Sequence, residues 1–340
     1  MNKEQAKNFA PGHSACAGCG FPTIIRTILG ESKDPVVISN ATGCMEVTST
    51  LYPYTAWKVP YIHNAFENAA ATISGVERAH KALLKKNVET RHASSVPKKI
   101  KFVAFGGDGG TYDIGLQSLS GALERGHNFL YVVYDNGGYM NTGNQRSSAT
   151  PYGANTETTP AGKESFGKIE MRKNLMEIVN AHRIKYAAQA SVGNLPDLKR
   201  KARKAFETEG PSFLSVMQPC TNNWKFPTSM FVQYAKLATE TNFWPLYEIE
   251  NGNYTINYPV KSAADHGASL PRERKPIEEF LKGQGRFKHL FTPENKHVIE
   301  EMQRIVDSEW ERLQKLANQN TIPTKLPEIN QTVGVSAQTE

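Results

Sequence analysis

The chain has 340 residues, 39% of them apolar and 21% charged, enough to bury a sizeable core as one large domain or two small ones. Forty lysines and arginines against 33 acidic residues give a net charge of +7, but no nucleic-acid motif or interleaved aromatic stripe accompanies them, so nucleic-acid binding is excluded. No run approaches the ~18 apolar residues of a membrane span, and residues 1–9 are polar and unlike a secretory signal, so the chain reads as cytoplasmic with no membrane attachment.

In chain order, Cys16-Ala17-Gly18-Cys19-Gly20 forms a C-x-x-C turn. Residues 36–39 predict a strand, with Cys44 just beyond it. Apolar residues at Phe66, Ala69, Ala70, Ile73, Val76 and Leu83 predict a helix over 64–83, and the polar, basic stretch 87–99 reads as a surface insertion. A strand over 101–105 runs into Gly106-Gly107-Asp108-Gly109-Gly110. The helix after it, over 112–123, ends at Gly126. The strand at 129–134 ends in Asp135-Asn136-Gly137-Gly138. A long segment rich in Gly, Thr, Asn, Ser and Pro then covers 139–163, a length more often functional than idle. Helices near 171–182 and 196–207 precede a strand at 213–217 and then Cys220. The pattern weakens over 248–283, a charged helix follows at 293–316, and the polar residues 318–340 read as a tail that is disordered or wraps a partner.

Strands of unbroken apolar character suit a parallel sheet covered on both faces. Alternation with helices predicts an α/β fold with a doubly wound, mainly parallel sheet, its ligands at the carboxyl ends of strands. We expect one domain over 1–290 and a C-terminal helical element with a polar tail over 291–340. The basic runs at 81–101 and 199–204 fit either a surface for an acidic partner or ordinary solvated faces.

Glycines around Asp108 let backbone amides approach a phosphate, and the following helix N-terminus favours negative charge. A carboxylate in that turn would repel a bare phosphate, so a cation between them is required. Mg²⁺ suits a carboxylate beside phosphate oxygens. Asn136, 28 residues later and after the next strand, offers a second oxygen. This Gly-Asp-Gly…Asn pattern is similar to that of thiamine-diphosphate enzymes. It lacks the Gly-Lys-Ser/Thr of a P-loop. The four cysteines, Cys16, Cys19, Cys44 and Cys220, argue for metal or redox chemistry over a disulfide scaffold. Their spacing alone leaves zinc and a [4Fe–4S] cluster both open, whereas oxidation of a 2-oxoacid on thiamine would give a cluster electrons to accept.

With these constellations the chain resembles the β subunit of the multi-subunit pyruvate:ferredoxin oxidoreductase family, from Pro11 to about Phe291. Asn40-Ala41-Thr42-Gly43-Cys44, Tyr54-Thr55-Ala56-Trp57-Lys58-Val59-Pro60, His63-Asn64-Ala65-Phe66-Glu67-Asn68, Gly107-Asp108-Gly109-Gly110-Thr111-Tyr112-Asp113-Ile114-Gly115 and Tyr139-Met140-Asn141-Thr142-Gly143 carry the likeness. It implies the thiamine-diphosphate-binding type of fold. It also implies Mg²⁺ on Asp108, Asn136 and the Gly138 carbonyl, and amides of Gly107, Gly109 and Gly110 at the diphosphate. Cys16, Cys19, Cys44 and Cys220 become the ligands of the [4Fe–4S] cluster nearest the thiamine, and Asn141 faces the substrate. The implied reaction is reversible oxidative decarboxylation of pyruvate to acetyl-CoA and CO₂, with coenzyme A as co-substrate and electrons passing to ferredoxin. Other 2-oxoacids (branched-chain, oxalate, arylglyoxylate) and a non-redox thiamine decarboxylase or carboligase are the alternatives. The family's activating glutamate and its grip on the substrate carboxylate lie on the α-type subunit. Further clusters lie on a small ferredoxin-like subunit, so α, γ and δ-type partners are expected. Phe21 departs from members that carry a polar residue there.

Overall fold

The structure, a computed structural model, describes residues 8–85, 99–258 and 274–319. Of the insertion expected at 87–99 and the tail expected at 318–340, residues 87–98 and 320–340 lie outside these residues.

Eight strands form one sheet: β1 (Val36–Ala41), β2 (Tyr61–Asn64), β3 (Lys101–Gly107), β4 (Leu130–Asp135), β5 (Tyr186–Ser191), β6 (Ser212–Met217), β7 (Tyr247–Glu250) and β8 (Asn253–Ile256). Their order is β2-β1-β3-β4-β6-β5-β7-β8. The first six strands in that order run parallel, and β7 and β8 add an antiparallel edge. Every residue of β4 and β6 is buried, as the unbroken apolar runs predicted. Helix α1 (Phe21–Leu29) and α6 (Leu195–Glu207) cover one face. On the other face lie α3 (Ala69–Lys85), α4 (Leu116–Glu124), α5 (Leu175–Asn180) and the carboxyl half of α9 (Lys296–Asn318). A third apolar cluster joins Trp224 to α7 (Phe231–Glu240), α8 (Ile277–Leu281) and the first half of α9. Among the described residues, no helix is long and apolar enough to cross a membrane.

Three expected boundaries move. The helix predicted from residue 64 starts at Ala69, because residues 61–64 pair with β1 as a strand. The helix predicted from 112 is entered through a π-helical turn, Gly109–Ile114. That predicted over 171–182 shrinks to Leu175–Asn180, where Asn174 caps the Glu177 amide while Arg172 reaches back into the sheet edge. The basic run on α6 is largely tied down: Lys201 is buried and donates to Asp197, Arg203 pairs with Glu31, and Lys204 pairs with Glu250. These contacts favour an ordinary helix face over a docking surface.

Strand order decides where a ligand can sit. The chain leaves β1 towards β2 on one side and leaves β3 towards β4 on the other. The crevice outside the carboxyl ends of β1 and β3 is therefore a switch point, the usual ligand position in open α/β sheets.

Candidate cofactor and metal site

Asp108 is the residue after β3, and Asn136 is the residue after β4. These strands are adjacent and parallel, with Gly107 opposite Tyr134, so the two turns end side by side. Asp108 is 1% exposed and Asn136 4%. The Asn136 amide N–H donates to Asp108 Oδ1 at 3.3 Å, and the Ser147 hydroxyl donates to Asp108 Oδ2 at 2.5 Å. One terminal atom of the Asn136 carboxamide lies 3.0 Å from Asp108 Oδ1 and 3.1 Å from the Gly138 carbonyl.

That triangle tests the fit of a cation. With nitrogen at this position the amide donates to both neighbours; with oxygen there, three acceptors converge. Oxygens bound to one octahedral Mg²⁺ at ~2.1 Å stand about 3 Å apart along each edge. The Asn136 carboxamide thus stands from Asp108 Oδ1 and from the Gly138 carbonyl at the spacing of neighbouring ligands on one small hard cation, and rotating the amide would turn its oxygen towards both. Burial, followed by the nearby Asp135 carboxylate, raises the Asp108 pKa to about 8. A cation at this point would reverse that penalty. Asp135 is held by Arg172, whose guanidinium also donates to the Tyr112 hydroxyl and the Ala149 carbonyl.

One pocket is lined by Thr42, Gly43, Cys44, Gly107, Asp108, Gly109, Gly110, Asn136, Gly138 and Asn141. It thus gathers the predicted diphosphate and Mg²⁺ residues, Asn141 and one cysteine. Asn141 is exposed on the tip of the turn closed by the Tyr139–Gln145 bridge. Gly109 must lack a side chain, since a Cβ there would stand 2.4 Å from the Tyr139 ring. Two participants escaped sequence reasoning. Ser147, from the long polar segment, buttresses Asp108. Tyr134 lines the pocket, and its buried hydroxyl has no hydrogen-bond partner among the described residues. A Cβ on Gly43 would stand 2.5 Å from that hydroxyl, which explains the glycine before Cys44. The strand pattern alone places Tyr134 at the last turn of β4, but no motif marks it. A larger groove, lined in part by Arg172, Trp244, Met302 and Trp310, contains none of the predicted residues.

The cysteines approach the same rim from three connections. Cys16 and Cys19 precede α1, Cys44 opens the short helix α2 (Cys44–Val47) after β1, and Cys220 follows β6. All four are free thiols. Burial pushes the Cys19 and Cys44 thiols up to about 12, with the other cysteines of the set adding to the shift, and Cys220 is raised the same way. The Phe21 amide and the Asn222 and Asn223 amides oppose this at Cys19 and Cys220, and the Gln218 carboxamide donates to Cys19 Sγ at 3.2 Å. Four free thiols, three of them half-buried, beside ready N–H donors suit ligation to a shared metal centre. Among the described residues, no three His, Cys, Asp or Glu side chains are gathered as ligands of a single metal ion. A cubane cluster places each sulfur on its own iron, so its ligands stand farther apart than the four donors of one zinc. Phe21 is buried in the core below α1, away from the pocket wall.

Residues 41–216 match the family described as thiamine pyrophosphate enzyme, C-terminal TPP binding domain. The chain is 52% identical to the pyruvate synthase subunit PorB of Thermotoga maritima, over 89% of this chain and 90% of that protein. It is 48% identical to the subunit of the same name from Methanocaldococcus jannaschii, over 92% of this chain and 98% of that protein. Identity to the ketoisovalerate oxidoreductase subunit VorB of Pyrococcus abyssi is 46%, over 92% and 94%. Among solved structures, the 2-oxoglutarate:ferredoxin oxidoreductase of Magnetococcus marinus shares the fold, with a TM-score of 0.52 at 23% identity over 65% of this chain and 70% of that one. A thiamine-binding sheet and near-full-length likeness to named subunits lead to one conclusion: the chain belongs to the 2-oxoacid:ferredoxin oxidoreductase family, as a thiamine-diphosphate-binding β subunit of the pyruvate synthase PorB type that works with partner subunits.

Proposed function

We propose that this subunit supports the reversible conversion of pyruvate and coenzyme A to acetyl-CoA and CO₂, releasing two electrons to ferredoxin through a [4Fe–4S] cluster of its own. The observation that carries the reading is a single pocket lined by Asp108, Asn136, Gly138 and Cys44, in which the Asn136 carboxamide lies 3.0 Å from Asp108 Oδ1 and 3.1 Å from the Gly138 carbonyl. Asp108, Asn136 and the Gly138 carbonyl would hold Mg²⁺, and the amides of Gly107, Gly109 and Gly110 would bind the diphosphate. Thiamine diphosphate, when bound, supplies the nucleophile and electron sink for decarboxylating a 2-oxoacid. The chain's own part is to fix that cofactor, to exclude water by burying the metal turn, and to orient substrate through Asn141 on the pocket rim. Cys16, Cys19, Cys44 and Cys220 would hold the cluster, and four unpaired thiols suit a reducing cytoplasm. The remaining catalytic groups and electron carriers would come from α, γ and δ-type subunits.

Anaerobic isolation of the complex and an assay of methyl viologen reduction with coenzyme A and a panel of 2-oxoacids tests this. Pyruvate should give the highest kcat/KM. A preference for 2-oxoisovalerate would favour the second reading, a branched-chain enzyme, which the 46% identity to a ketoisovalerate subunit supports. Decarboxylation without dye reduction would sink the redox assignment.

A further inference from the structure

Arg286 is a buried cation with no anion opposite it. It lies in the 3-10 segment Gly285–Phe291 and is 2% exposed. Its Nε donates to Gln284 Oε1 at 2.9 Å, whereas Nη1 and Nη2 have no hydrogen-bond partner among the described residues. Burying an unpaired charge is strongly unfavourable, so the fold must gain a counter-charge there.

Its surroundings narrow the choice. The guanidinium carbon stacks 3.7 Å from the centroid of the Trp224 ring. Trp224 is tied to both functional turns: its ring N–H donates to the Asn136 carbonyl at 2.9 Å, and its backbone N–H donates to the Cys220 carbonyl at 3.0 Å. On the other side, Nη1 is 3.1 Å from where a Cβ on Gly137 would stand. Arg286 therefore lies beneath the metal turn and beside the Cys220 loop. Asp135 is already paired with Arg172, and both Asp108 oxygens already accept hydrogen bonds. The cofactor pocket does not include Arg286 in its wall, which removes the diphosphate. Cys220 remains, and Trp224 joins the two: Arg286 stacks on its ring and its backbone N–H is hydrogen-bonded to the Cys220 carbonyl.

We propose that Arg286 is the built-in counter-charge of the inorganic centre held through Cys220, and that it makes this centre easier to reduce. The inference rests on the reading that the four cysteines hold an iron–sulfur cluster. Reduction adds negative charge to that centre, and a fixed cation in a dry setting lowers its energy. Arg286 lies outside the wall of the cofactor pocket, so it is a positioning residue.

An EPR-monitored redox titration of the anaerobically purified complex tests this, with the signal lost in Cys44→Ser identifying this chain's cluster. Arg286→Met should keep its iron and shift the reduction equilibrium at least ten-fold towards the oxidised state, about 59 mV for one electron. Arg286→Lys should restore most of the shift. An unchanged midpoint in an iron-replete Arg286→Met complex overturns the proposal. Should the Met and Gln variants both lose iron while Lys keeps it, the need for positive charge is upheld; loss in Lys as well means the side chain serves only packing, which also overturns it. A wild-type complex without any such signal defeats the cluster assignment instead, so the two failures are told apart.

Discussion

Asp108 is held in a place that punishes its charge. Its pKa is raised to about 8 by burial and by Asp135, against about 4 in an unfolded chain. A raised carboxylate contributes stability that is complete below the unfolded value and is lost as pH climbs through the folded one. Between about pH 4 and 8 the cation-free fold therefore weakens as pH rises, and a cation bound at Asp108, as proposed, would displace a proton. Mg²⁺-dependent thiamine diphosphate binding should tighten by up to ten-fold per pH unit below about 8 and level off above it. Calorimetry in buffers of different ionisation heat checks this through proton release. A pH-independent affinity would show that Asp108 does not receive the metal. Asp108→Asn should weaken binding by at least about 100-fold, since even an outer partner of a metal ligand is worth 10–100-fold, and should remove the pH slope.

At the scale of elements, the segment between β4 and α5 carries little regular structure yet shapes the pocket. Its keystone is Lys168, fully buried, whose ammonium donates to the carbonyls of Thr150 and Glu170 at 2.8 and 2.9 Å and of Met171 at 3.3 Å. Ser147 and Ser148 then reach Asp108 and Asp113. Lys168→Met would strand these carbonyls, and at 1–3 kcal/mol for an unsatisfied buried group it should cost about 3 kcal/mol in denaturant unfolding. It should also open the segment to protease, and unchanged stability and cleavage would refute the keystone role. No motif announces this lysine. Legibility in the sequence followed the same division. β3, β4 and β6 were readable from apolar runs, and with them the placement of Asp108, Asn136, Cys44 and Cys220 beyond strand ends. β5 was missed because Tyr-Ala-Ala-Gln-Ala-Ser has no β-branched residue and owes its strand to burial between neighbours. β2, β7 and β8 are four-residue strands at the two ends of the sheet. Ser147, Tyr134 and Arg286 act through contacts between residues far apart in sequence, which periodicity does not encode.

Across the whole molecule, a centre held by the four cysteines, as proposed, would tie together connections that the sheet keeps apart. β1 and β6 are separated by β3 and β4, so a centre joining Cys44 to Cys220 spans the rim on either side of the Asp108 and Asn136 turns. Closure between Cys16 or Cys19 and Cys220 encloses roughly 200 residues, and a covalent link around such a loop is worth about 3–5 kcal/mol. Of the three apolar clusters only the one around Trp224 has Cys44 and Cys220 packed against it. The two main clusters on the faces of the sheet are built from aliphatic and aromatic side chains, with Cys19 only at the edge of one. Removing the centre should therefore leave the sheet intact and lower the melting temperature by on the order of 10 °C, at about 2–4 °C per kcal/mol. Anaerobic chelation of the isolated chain, followed by far-ultraviolet circular dichroism and a thermal scan, measures both quantities. Collapse of the spectrum would make the centre part of the folding core, contrary to this packing. An unshifted transition after proven loss of iron would mean that the four sulfurs do not share one centre, and the account of how electrons leave the thiamine pocket would fail with it.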